Sequence, residues 1–330
     1  MLQYIVRRVI LAIPTLFGIS VLSFVVMKLA PGDYMSQLAA QLSQMGEGIS
    51  GEQLEALRAA YGLDQPVYVQ YFKWISGILL RGDFGLSFEW RVPVNELIWD
   101  RLGVTIALTG LTLIVSWLIA IPIGVYSATH RYSVVDYLVT GLSFVGLGIP
   151  AFTIALVALW VAFSAFGTDL AGAFSEGYRD APWSLGKVLD LGKHLWIPVL
   201  ILATENMARI VRVMRANLLD ELPKPYVTAA RAAGLKESKL VWEYPVRVAV
   251  NPLVSGLGFE LADLVSSGTI IGVVMSLPMT GPLQLNALTA RDTYLAGAFI
   301  LLLGTLVIFG TLLSDIALAW IDPRIRYDRR

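Results

Sequence analysis

The chain has no cysteine and only two histidines, His130 and His194. Without thiols there is no disulfide framework, thiolate metal site or cysteine nucleophile, and two isolated imidazoles leave no cluster to hold zinc. Charge is also scarce: charged residues make up 15% of the sequence, against about a quarter in ordinary soluble domains. Lys plus Arg and Asp plus Glu number 25 each, so there is no global basic field of the kind that gathers nucleic acid. No G-x-x-x-x-G-K-[ST] sequence occurs; Gly186-Lys187 is followed by Val188, which leaves no P-loop for ATP. An intramembrane hydrolase is disfavoured too, because the apolar segments contain neither G-x-S-x-G nor G-x-G-D and neither histidine falls within one. No catalytic residue, bound metal or bound cofactor is expected of this chain.

What is abundant is apolar sequence, 56% of the residues. A helix crosses the hydrocarbon core with roughly 20 predominantly apolar residues. Six segments meet that test: Val9 to Leu29, Val104 to Ala128, Tyr137 to Phe166, Leu195 to Met214, Leu253 to Ser276, and Ala298 to Ile321. The expected fold is an all-α polytopic membrane protein with both termini on one side. The first segment is too long for a cleaved signal peptide, lacks a small-residue cleavage site, and reads as a retained anchor. Lys and Arg near the span ends favour a cytoplasmic N-terminus: Arg7, Arg8, Arg131, Arg209, Arg212, Arg215 and the basic residues of 224–247 fall on one side, and the acids of 47–96 on the other.

Between the first two spans, Pro31 to Asp100 holds apolar-periodic stretches at Gln53 to Tyr61 and Val67 to Leu80, with turn signals at Gly82-Asp83 and Gly85. A small, mostly helical external subdomain is expected there, its Tyr68, Tyr71, Phe72 and Trp74 serving as packing or interfacial anchors. A second external insertion, Gly167 to His194, is polar and Gly-rich with nothing specific in it. The division that follows is an anchor at 1–30, the external subdomain at 31–96, a core at 97–321 that includes the loop 216–251, and a tail at 322–330.

The most informative stretch is Glu221 to Asn251. Pro223 and Pro225 can open a short helix, Tyr226 to Ala233 give it an Ala-rich body, and Gly234 supplies a left-handed stop before a second amphipathic run from Lys236. Two short helices meeting at a glycine elbow have no core of their own, and a small-residue face suits a protein partner better than lipid, which would want Leu, Phe or Trp.

Thr228-Ala229-Ala230 followed by Gly234 resembles the EAA loop of ABC-importer permeases, with Thr where Glu often stands. YIVRRVILAIPTLFGISVLSF near the start, APGD at Ala30 to Asp33, the run from Tyr61 to Phe88, RVPV at Arg91 and DPRIR at Asp322 to Arg326 are similar to the dipeptide/oligopeptide/nickel branch. The resemblance implies a type I importer fold and a helix seated in a groove of a separate ATPase, with Tyr226, Ala229, Ala230, Arg231 and Gly234 as the coupling residues. It also implies two ATP-binding cassette subunits that carry ATP and Mg, a second homologous permease chain, and an extracytoplasmic substrate-binding protein. The location implied is the plasma (inner) membrane of a bacterium or archaeon. Peptides are the expected cargo, with oligosaccharides, opines or nickel complexes as alternatives.

Acids inside the membrane are the remaining signal, since a carboxylate at that depth is costly. Gly256, Glu260, Asp263 and Ser267 recur at i, i+4, i+7 and i+11, on one face of the fifth span. Either this stripe lines the translocation pathway, or its acids pair with neighbouring helices. Glu205 and Asn206 lie midway along the fourth span, where Arg209 can close an intrahelical ion pair with Glu205. From another functional class, an ion- or proton-coupled secondary carrier would use Glu260 and Asp263 as its relay and need no motor.

Overall fold

The computed structural model describes residues 2–29, 52, 55, 56, 59, 64–168, 170–179 and 181–321. Most of Gln53 to Tyr61, the APGD segment and the tail at 322–330 lie outside the described residues. Helices dominate: α1 (Leu2–Leu29), α2 (Val67–Arg81), α3 (Val94–Thr129), α4 (Val134–Gly148), α5 (Ala151–Phe166), α6 (Leu185–Glu221), α7 (Pro225–Ala232), α8 (Glu237–Glu243), α9 (Pro245–Ala249), α10 (Asn251–Ser255), α11 (Leu257–Val274), α12 (Thr280–Thr289) and α13 (Thr293–Ile321). Among the described residues there is no strand, only an isolated bridge between Leu86 and Pro93.

Four helices are long and apolar enough to cross a membrane, in the segments Ile5–Leu29, Val94–Thr129, Leu257–Val274 and Thr293–Ile321, and a bent pair, α4 with α5, makes a possible fifth. Of the six spans expected from sequence, four or five meet the test of length and composition among the described residues. The third expected span is two helices bent by 92°. Ile149 is extended, with φ −102° and ψ 115°, and Pro150 stands as the N-cap of α5; a residue before proline is pushed out of the helical region, and proline brings no N–H to continue the ladder. The fourth expected span lies within α6, whose Glu205, Arg209 and Arg212 dilute its apolar run. The fifth starts later than expected, at Leu257, because α10 ends at Ser255 and Gly256 separates it from α11.

Two compact units make up the chain: Met1–Val9, Val104–Pro278 and Val307–Arg330 in one, Ile10–Gly103 and Met279–Leu306 in the other. In the first, α6 is the central element, 37 residues with sixteen of them buried. At about 1.5 Å per residue it is about 55 Å long, well beyond a hydrocarbon core of about 30 Å, so part of it stands outside any bilayer. In the same unit Gly258 of α11 meets Gly310 of α13 so closely that a β-carbon on Gly310 would lie 2.5 Å from the Gly258 Cα. Small residues there allow backbone-to-backbone packing of two apolar helices.

In the second unit α2 packs on α1 through Phe24, Met27, Tyr71, Trp74 and Leu301 of α13. The turn signals at Gly82-Asp83 and Gly85 hold: both glycines have positive φ, 64° and 99°, and the Asp83 carboxylate accepts the Gly85 N–H at 2.9 Å. The loop that follows is fastened to the start of α13 by Asp292. This carboxylate accepts the Ser87 hydroxyl at 2.5 Å, the Glu89 N–H at 3.2 Å and the Leu295 N–H at 3.2 Å. Burial pushes its pKa above the usual carboxylate range, and these hydrogen bonds do not fully offset that.

Candidate coupling surface and the polar ties behind it

The short helix α7 is set by its ends. Pro225 occupies its first turn after the extended Lys224, where a missing N–H costs nothing. At the other end the Gly234 N–H donates to the Arg231 carbonyl at 3.0 Å and the Leu235 N–H to the Ala230 carbonyl at 3.4 Å, with Gly234 at φ 83°. This is a complete Schellman closure, and the left-handed residue is the glycine that sequence analysis singled out.

Two polar contacts fix the elbow from outside. Arg231 donates to both carboxylate oxygens of Glu237, at 3.0 and 2.6 Å, joining α7 to α8 across Gly234. That bidentate bond, with the guanidinium charge, holds the Glu237 pKa below the usual range. At the entrance to α7, Glu221 accepts from Lys224 Nζ at 2.5 Å and from the Tyr226 hydroxyl at 2.6 Å. Burial alone would raise the Glu221 pKa, but these hydrogen bonds and the Lys224 charge outweigh it and the net shift is downward.

The helix has two faces. Val227 is fully buried and Ala230 packs beside it in an apolar cluster that continues through Leu240 and Val241 of α8, Val246 and Ala249 of α9, Ile210, Met214 and Leu218 of α6, and Ala120 and Val125 of α3. Thr228, Ala229, Arg231 and Ala232 face outward. Of the five expected coupling residues, then, Ala229 and Gly234 are open, Ala230 supports the helix from beneath, and Tyr226 and Arg231 are exposed while bonded to Glu221 and Glu237.

Behind this surface two sets of polar bonds tie the long helices. Glu260, 2% exposed at its side chain, sits in the first turn of α11, where a helix N-terminus favours an acid. Its Oε1 accepts from Trp117 Nε1 of α3 at 3.0 Å and Asn206 Nδ2 of α6 at 2.8 Å. Arg209 stands 3.5 Å from the same oxygen and donates to Asn206 Oδ1 at 2.7 Å. The expected Glu205–Arg209 pair is not formed. Glu205 lies on the exposed side of α6, while Arg209 turns toward the buried acid, where the electrostatic gain is larger. The stripe on α11 is divided as well: Asp263 is exposed and Ser267 half-buried, with the Ser267 hydroxyl bonded to the Asp263 carbonyl at 2.9 Å.

The second tie was not anticipated. Arg215 of α6 forms a two-pronged bond to Asp136 of α4, Nε to Oδ1 and a terminal nitrogen to Oδ2, each at 2.8 Å. Ser127 of α3 donates to Asp136 Oδ1 and accepts from Arg215 Nε at 3.1 Å. A signal existed in Ser133-x-x-Asp136 at the head of an apolar run, an N-terminal capping pattern; the Ser133 hydroxyl does accept the Asp136 N–H, at 3.2 Å. The polar insertion 167–194 likewise holds more order than its sequence suggested. Asp190 accepts both the N–H and hydroxyl of Ser175, at 2.8 and 2.7 Å. Lys187 donates to the Arg179 and Ala181 carbonyls under the rings of Phe174 and Trp183.

The described residues thus combine four helices long and apolar enough to cross a membrane with a short, Schellman-closed helix that exposes Thr228, Ala229 and Ala232. The sequence matches the model for the binding-protein-dependent transport system inner membrane component over residues 120–327 and its N-terminal companion over residues 1–109. It is 37% identical over 328 residues to the oligopeptide transport system permease protein AppB of Bacillus subtilis (strain 168), covering 99% of this chain and 100% of that protein. Against the dipeptide transport system permease protein DppB of Escherichia coli (strain K12) it is 31% identical over 345 residues, covering 100% of both. A chain from inward-facing MetNI methionine ABC transporter structures shares the fold, with a TM-score of 0.50 at 18% identity over 68% of this chain and 96% of that one. The chain belongs to the family of binding-protein-dependent transport system inner membrane components, and is a permease subunit of an ABC importer.

Proposed function

We propose that this permease forms half of a translocation pathway for peptides, and that α7 is the rod through which a separate ATPase moves it. The observation that carries the reading is the two-sidedness of α7: Ala229 and Ala232 face outward while Val227 and Ala230 are fused to the cluster of α3 and α6. A push on the outer face therefore has a packed route into the long helices. Peptide cargo rests on the names of the relatives, which span the full chain.

In this reading α6 supplies the fourth of six spans, both termini and the Gly234 elbow are cytoplasmic, and 31–96 forms the external subdomain ahead of a core at 97–321 and a tail at 322–330. Partners are a second permease chain, two cassette ATPases that hold ATP and Mg, and an external binding protein. Asp263 and Ser267, with Glu205, lie on the less buried side of their helices and are the residues offered to the pathway; Glu260 and Asn206 brace it. The motor-free carrier relay is not favoured, because Glu260 is already engaged by three groups.

The test is a single-cysteine variant, Ala229→Cys, in the naturally cysteine-free chain. Reconstituted with the second permease chain, the ATPase pair and the binding protein, it should crosslink to the ATPase in a nucleotide-dependent way, and labelled dipeptides should enter vesicles only with ATP. Transport that persists without the ATPase would overturn the reading.

A further inference from the structure

Helix α2 carries an apolar face that stands largely exposed. Tyr68, Phe72 and Leu79 fall at i, i+4 and i+11, on one side of the helix, and Leu80 lies beside them. Phe72 is 62% exposed and Leu79 76%. The opposite side is fixed to α1. Tyr71 shares a 2.8 Å hydrogen bond with Ser20, lies 5.5 Å from the Phe24 ring centroid and 6.5 Å from that of Phe17, and Trp74 lies 5.8 Å from Phe24. Gln70 accepts from Lys28 Nζ at 2.5 Å.

These anchors set the height of α2. Phe17, Ser20, Phe24 and Lys28 lie along one face of α1, inside the apolar segment Ile5–Leu29. Ser20 is nine residues before Leu29, about 13 Å along the axis at about 1.5 Å per residue. Tyr71 is thus held alongside the hydrocarbon-depth part of α1, not beyond its end. At that same level α1 itself exposes Phe17, Leu22, Val25 and Val26. Its polar residues suit an interfacial site: Lys73 is exposed at the border of the apolar face, Arg81 is in the last turn, and Tyr68 joins an apolar body to a hydroxyl, as in interfacial aromatic belts.

We propose that α2, within the external segment 31–96, is not solvated on its open face but lies in the membrane leaflet at the C-terminal end of α1, with Tyr68, Phe72, Leu79 and Leu80 in contact with lipid acyl chains. The proposal rests on the reading of α1 as a span. Such a helix braces α1 laterally and fixes the depth at which the loop 82–93 emerges.

The absence of native cysteine makes the test direct. Phe72→Cys, Leu79→Cys and the reference Leu22→Cys, each spin-labelled in the assembled transporter in phosphatidylethanolamine–phosphatidylglycerol vesicles, are read by collision with oxygen and with a water-soluble nickel chelate. The expected result is a positive logarithm of the oxygen-to-nickel accessibility ratio at all three positions. A negative value at Phe72 and Leu79 with a positive one at Leu22 places α2 in water and overturns the proposal. Low collision with both reagents at Phe72 and Leu79 means protein covers the face and also overturns it. A negative value at Leu22 refutes the span itself, and the proposal with it.

Discussion

Replacing Glu260 separates two roles open to a buried acid in a transport bundle, bracing helices and touching cargo. One oxygen accepts from Trp117 at 3.0 Å and Asn206 at 2.8 Å, with Arg209 at 3.5 Å. Polar bonds between helices in bilayer proteins average about 0.6 kcal/mol and reach about 1.7, and those to an ionised partner in proteins generally about 1.5–3. Glu260→Ala strands two donors and a guanidinium. The Arg209 contribution is discounted, since that side chain is 43% exposed and screened by solvent. The expected loss is about 3 kcal/mol. Glu260→Gln keeps an acceptor in place and should cost about 1 kcal/mol, as should Trp117→Phe. The readout is the unfolding midpoint of the assembled transporter in detergent, with a double-mutant cycle between positions 117 and 260. Trp117→Phe should cost much less once Glu260 is Ala, with a coupling above about 0.5 kcal/mol. Uptake below the transition should show an unchanged KM for Glu260→Gln. An unchanged midpoint with a shifted KM, or zero coupling, would refute the bracing argument and return Glu260 to the pathway.

Gly234→Ala puts a β-carbon into open space but at φ 83°, so its cost is conformational, about 1–2 kcal/mol. Cargo-stimulated ATP hydrolysis should fall, with Gly234→Asn milder. Val227→Ala removes the equivalent of two buried methylenes at about 0.8 kcal/mol each and leaves a small cavity, for about 2 kcal/mol in all, seen as faster amide exchange in α7. Glu221 has a folded pKa below its unfolded one, so its contribution is present above the usual Glu range and is lost as pH falls through the depressed value. Amide exchange at the start of α7 should rise on acidification, and Tyr226→Phe should shrink that rise. Asp292 has the opposite sign: its pKa is raised by burial, so its contribution is complete below the usual carboxylate range and is lost as pH rises through the elevated value. Asp292→Asn should flatten the upper part of the stability-versus-pH profile.

The parts legible from sequence were those governed by local rules. The elbow could be read because proline at a helix start and glycine at a stop are local backbone requirements, met here by Pro225 and Gly234. The bend at Pro150 was signalled by the same chemistry, yet a continuous apolar run from Tyr137 to Phe166 concealed that it divides a span into two helices. Partner choice was the part that sequence did not carry. Arg209 had Glu205 within reach along its own helix, and which acid it takes depends on which one the third dimension buries. Asp136 looked like an ordinary first-turn acid, because Arg215 stands 79 residues away. On α7, an Ala-rich body did not reveal that Ala229 points out while Ala230 points in.

Helix α6 also has a mechanical implication. Asp190, bonded to Ser175, and Glu221, bonded to Tyr226, are borne on the same uninterrupted rod; their separation of 221 − 190 = 31 residues corresponds to about 46 Å at the standard rise. A torque applied near Tyr226 must be felt beside the Lys187 cage unless the shaft yields. Its weakest place is Pro198, where the backbone ladder lacks a rung, so stiffening that one position would decide whether the two ends turn together.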